Sequence, residues 1–202
     1  MSEPITPDRD DWLALWISVG IAAVGAVTTI VNTVSRLTEV APGHDIPVRV
    51  PLHSVSADLP LGPNGAAVTA AVDTATVTVA DPSPATLVAL WAEPIWVCVT
   101  VLAGLAVAAL FFLMVARGQL FTRGGSRLAL AGGLVVAAGW LGSTLLTNMT
   151  TSGALAAISD QTYESITFTV SLVPVLAILL LGGLGAALKI GERLQRETEG
   201  LV

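Results

Sequence analysis

The side chains with chemical reach are few and scattered. His44 and His53 are the only two histidines, with Asp45 and Asp58 close by. Imidazoles and carboxylates are zinc donors, but this spacing matches no zinc motif, and solvated loop positions are expected. Cys98 is the one cysteine, which excludes an internal disulfide and a cysteine-based zinc site. Nothing basic sits beside it in sequence to favour the thiolate. Serine and threonine are plentiful, yet no G-x-S-x-G, H-E-x-x-H or G-x-x-x-x-G-K-[ST] pattern occurs. Asn148-Met149-Thr150 fits the glycosylation sequon, a pattern short enough to recur by chance. No catalytic residue, cofactor or metal site is assigned, and an enzyme is not expected.

Composition explains why chemistry is sparse. The 202 residues are 53% hydrophobic and 12% charged, with mean hydropathy +0.79. Soluble domains carry about 25% charged residues, so half that supply leaves too little polar surface for water. Disorder is excluded by the same numbers. A net charge of −6 argues against direct nucleic-acid binding, which needs a basic patch. The expected setting is a lipid bilayer.

Crossing about 30 Å of hydrocarbon takes about 20 apolar helical residues. Four stretches free of Asp, Glu, Lys and Arg meet that test: 12–35, 95–116, 128–149 and 165–188. The expected fold is an all-α membrane protein, a four-helix bundle with a small β-rich extracytoplasmic segment at 36–94. The remaining pieces are an N-terminus at 1–11, loops at 117–127 and 150–164, and a tail at 189–202. Residues 1–11 carry Glu3, Asp8, Asp10 and Asp11 against Arg9. A cleaved signal needs a basic start, so the first span is expected to be permanent.

Basic residues stay on the cytoplasmic side. Arg9, Arg117, Arg123, Arg127, Lys189, Arg193 and Arg196 fall on one side of the four spans, leaving Arg36 and Arg49 opposite. Both termini are therefore expected in the cytoplasm, the membrane being a bacterial inner membrane. Trp12 and Trp16 would mark the inner interface and Trp91 and Trp96 the outer one. Trp140, mid-span, is expected against a neighbouring helix.

The segment 36–94 contains Pro42, Pro47, Pro51, Pro60, Pro63, Pro82 and Pro84, which excludes one long helix. Ile46, Val48, Val50 and Leu52 alternate with the strand period, as do Val68, Ala70 and Val72, then Thr76 to Val79. Gly62-Pro63-Asn64-Gly65 is the expected turn between strands. Fewer than about 60 residues bury only a marginal core. This unit should lean on helix ends, a second copy or a partner.

Small residues four apart suit close helix approach in lipid: Ala22 and Ala26, Gly104 and Ala108, Gly133 and Ala137, Gly182 and Ala186, Gly183 and Ala187. Polar residues crowd the outer halves of the spans. Thr29, Asn32, Thr144, Asn148, Thr167 and Ser171 are the candidates for an outward-opening crevice, with Asn32 and Asn148 expected to point inward. The bland reading is interhelical hydrogen bonding, or threonines bonding their own helix. Pro174 should bend the fourth helix. Arg117, Phe121, Arg123, Arg193 and Arg196 are the candidate cytoplasmic contacts.

Four spans with a β-like segment after the first, Arg117-Gly118-x-x-Phe121 closing the second, Leu128 opening the third and a Thr198-Glu199-Gly200-Leu201-Val202 ending together resemble a bacterial membrane family. It is catalogued as domain of unknown function 2975. Leu120 stands where that family often has proline. The resemblance implies a four-helix fold and a helix-turn-helix regulator as cytoplasmic partner, and it assigns no catalytic residue. The expected function is a non-catalytic sensor or anchor coupling an outward segment to such a partner. The alternative is a small self-associating transport or permeability component.

Overall fold

The computed structural model describes residues 9–117, 119, 122–159 and 171–199, without the side chains of 9–15, 53–55, 123, 195, 196, 198 and 199. Four helices dominate: α1 (Arg9–Val40), α2 (Pro84–Ala116), α3 (Arg123–Ile158) and α4 (Leu172–Glu199). Each contains a stretch long and apolar enough to cross a membrane. Between α1 and α2 lie strands β1 (Ile46–Leu59) and β2 (Val68–Val79). The described residues form two compact units.

The first unit gathers residues 1–34, 95–143 and 169–202. Large apolar side chains face outward along its helices: Val24 is 67% exposed, Val99 57%, Leu141 55% and Leu180 74%. Burying such side chains is worth about 1.5–3 kcal/mol each, so this unit leaves a large apolar surface uncovered by its own chain. Helices approach where side chains are small. A Cβ at Gly132 would lie 3.3 Å from Val107 Cγ1, and one at Gly139 would lie 3.3 Å from Thr100 Cβ. A Cβ at Gly185 would lie 3.6 Å from Ala129 Cβ. Gly104 and Gly133 do face neighbouring helices, but nothing lies within 4 Å of a Cβ at Gly182 or Gly183. Those two glycines leave open space instead of a helix contact.

The second unit gathers residues 35–94 and 144–168. Its strands pair antiparallel, Ile46 opposite Val79 and Leu59 opposite Val68. The register shifts between Pro51 and Val55. A two-stranded ribbon has free edges, which is where prolines such as Pro47 and Pro51 can sit. The expected turn forms a 3₁₀ segment at Pro63–Gly65, with Asn64 at φ 58° and Gly65 at φ 79°. Gly62 is required by close approach, since a Cβ there would lie 2.8 Å from the Ala66 carbonyl oxygen.

Alternate residues of the hairpin turn to one face. Ile46, Val48 and Val50 of β1 and Val79 of β2 are buried with Val40 of α1, Leu90 of α2 and Ala154 of α3. The hairpin thus leans on helix ends, as its small size required.

Several helix limits differ from the hydropathy reading. α2 begins at Pro84 and not at 95. Ser83 caps it: the Thr86 amide donates to Ser83 Oγ at 3.3 Å, and proline fits the first helical position. Pro94 consequently lies inside the helix, where it leaves the Leu90 carbonyl without its usual donor. α3 continues to Ile158, so 150–158 is helix and not loop. α4 starts at Leu172, which puts Pro174 in the first turn. Its missing amide costs nothing there, so the expected internal bend has no cause. α1 likewise runs past Ser35 to Val40 before Pro42 and Gly43, at φ 76°, end it.

Candidate functional site

Longer helices bring an acid into α2 that the apolar windows excluded. Glu93 lies one residue before Pro94, and its carboxylate accepts the Thr147 hydroxyl of α3 and shares the single proton of the Thr150 hydroxyl with the Thr147 carbonyl. Thr147 Oγ1 donates to Glu93 Oε1 at 2.7 Å, and Thr150 Oγ1 lies 3.2 Å from Oε2. Thr150 also reaches the Thr147 carbonyl at 2.9 Å. It is 3% exposed, so this polar contact is shielded from water and stronger for it. Close by in sequence, a Cβ at Gly153 would clash with Thr86, so α2 and α3 also touch one turn further on. The residues form a polar clamp between two helices. The signal in the sequence was the three-residue spacing of Thr147 and Thr150, which puts both on one helix face.

Asn148 sits between those threonines. Its Nδ2 is buried and has no hydrogen-bond partner. A buried amide without a partner costs about 1–3 kcal/mol, so the position is either strained or meant to be met by another group.

The crevice candidates divide between the two units. Thr29 and Asn32 belong to the first unit, and Thr144 and Asn148 to the second. Thr29 Oγ1 donates to its own helix at the Gly25 carbonyl, 2.8 Å away. Thr33 bonds Thr29 in the same way, and Thr100 bonds Trp96 and Val97. These threonines therefore satisfy themselves within the helix. Asn32 is exposed, contrary to the expectation that it points inward: helix α1 turns that position away from its neighbours. Ser171 is exposed just before α4. Thr167 lies outside the described residues.

At the opposite ends of these helices, the start of α3 and the end of α4 border a groove of about 800 Å³. Ser126, Arg127, Lys189, Glu192, Arg193 and Glu197 form its polar part, and Leu130, Gly182, Gly185 and Ala186 its apolar part. Arg193 Nε donates to Glu197 Oε1 at 2.9 Å. The sequence reading named Arg193 as a candidate contact but not Arg127 or Lys189. Arg117 is exposed at the end of α2 and is not among the groove's lining residues. Phe121 and the side chains of Arg123 and Arg196 lie outside the described residues.

His44 Nδ1 lies 3.4 Å from Asp45 Oδ2, and both side chains are largely exposed. The side chain of His53 lies outside the described residues. Among the described residues no three His, Cys, Asp or Glu side chains gather. Comparison with protein-family models, with curated proteins and with solved structures finds no match.

Proposed function

We propose that the chain is a non-catalytic multi-pass protein of the bacterial cytoplasmic membrane, with both termini inside. Its outward unit senses or anchors, and its inner helix ends meet a cytoplasmic partner. The main support is the construction of the second unit. Its core is drawn from the hairpin and from α1, α2 and α3, the same helices that contribute to the first unit. A ligand or stress acting on the hairpin therefore acts on spanning helices directly. Basic residues at the end of α2, the start of α3 and the end of α4 support the orientation. The family resemblance supports a helix-turn-helix regulator as the partner class.

The test is crosslinking in native membranes followed by capture of the tagged chain, with and without residues Arg193–Val202. A cytoplasmic regulator recovered with the full chain and lost on truncation supports the reading. Capture that survives truncation, with insertion intact, contradicts it.

Exposed Asn32 favours one alternative, a self-associating transport component. An amide at membrane depth is costly against lipid and gains by meeting a second copy. Solute flux through reconstituted vesicles that falls on Asn32→Leu would support that reading instead.

A further inference from the structure

We propose that the groove between the start of α3 and the end of α4 is a binding site for an anionic phospholipid. Its phosphodiester would sit between Arg127 and Lys189 and an acyl chain along Gly182 and Ala186. The proposal rests on the membrane-spanning reading of these helices and not on the identity of any protein partner.

The charges favour this occupant. Arg193 is tied to Glu197, and Glu192 has an interaction of its own. Arg127 and Lys189 have no hydrogen bond or ion pair among the described residues. They come from different helices and border the same groove. Two unpaired cations bordering one groove repel, and an anion bound with them relieves both.

The apolar part continues from them in the right direction. Gly182, Ala186, Lys189 and Arg193 recur every three or four residues and so share one stripe of α4. Lys189 lies about 10 Å along the helix from Gly182, at about 1.5 Å per residue. That is the separation between a headgroup and the upper part of its chain, and long basic side chains place their charge at this level. The floor has room. Nothing lies within 4 Å of a Cβ at Gly182, and Leu130 is 60% exposed. At Gly185, which also lines the groove, α3 and α4 are in contact. Basic pockets between spanning helices on the cytoplasmic side are a known setting for anionic headgroups. Free inorganic or organic phosphate would use the cations but not the apolar floor.

The test is native mass spectrometry of the full chain released from a neutral detergent. The probes are dioleoylphosphatidylglycerol, dioleoylphosphatidylcholine and glycerol 3-phosphate. Phosphatidylglycerol should be retained roughly thirtyfold over phosphatidylcholine, as two interfacial cations imply. Arg127→Gln with Lys189→Gln should abolish the preference, while the charge-preserving pair Arg127→Lys and Lys189→Arg should keep it. Arg117→Gln, an exposed cation outside the groove, should change nothing. Equal retention of the two lipids, a preference that survives in the double glutamine variant, or full competition by glycerol 3-phosphate would overturn the proposal. The membrane reading itself is checked apart from this, by retention of the chain in membranes after an alkaline carbonate wash.

Discussion

Glu93 of α2 and Thr147 of α3 are joined by a hydrogen bond of 2.7 Å, and with Thr150 they clamp two helices together beside the core that carries the hairpin. A carboxylate kept within an apolar helix needs donors, and α3 supplies two of them one turn apart. Thr150→Val removes the shielded donor and leaves an under-satisfied carboxylate. It should lower stability by about 1–3 kcal/mol. Thermal unfolding in detergent reads this, and Thr150→Ser should restore most of the loss.

Leu90 is the largest buried side chain that α2 gives to the second unit, at 1% exposure. Leu90→Ala should cost about 2–5 kcal/mol, because the removed atoms leave a cavity between helix and hairpin. Protease cleavage within residues 60–66 should accelerate more than cleavage at the α2–α3 connection. Equal acceleration at both would show that the second unit has no core of its own.

Asn148 makes the opposite prediction. Its buried Nδ2 has no partner, so Asn148→Leu removes a penalty and keeps the volume. The variant should be at least as stable as the parent, gaining up to about 1–3 kcal/mol. A clear loss of stability would mean that the amide is paired in the membrane.

The hairpin was legible because alternation is a local signal: Ile46, Val48 and Val50 proved to be its buried face, and Gly62 to Gly65 its turn. Four apolar helices were legible from length alone. Their ends were not, because a window that stops at the first charge stops at Glu93, although Ser83-Pro84 is the actual start signal. The expectation that Asn32 points inward was overturned for a related reason. Polarity by depth says which residues are level with one another, but not which way each side chain turns, and Asn32 turns outward. The groove was half legible: Arg193 stood out as charge, whereas Lys189 and Arg127 belong together only once α3 and α4 are packed.

Gly62→Ala should disturb the hairpin. The added methyl meets the Ala66 carbonyl oxygen at 2.8 Å, so the turn must shift. Amide exchange should quicken across β1 and β2. Exchange unchanged in both strands would show that the turn absorbs the methyl without shifting.

The proposed function requires coupling from the outward unit to the inner helix ends. The direct measurement is a distance distribution between spin labels at positions 122 and 190, in a Cys98→Ala background in lipid vesicles. Residues Thr122 and Ile190 are both exposed, so labels there disturb no packing. Releasing the clamp with Thr147→Val and Thr150→Val should shift or broaden that distribution. An unchanged distribution, with exchange in the second unit demonstrably faster, would contradict the account.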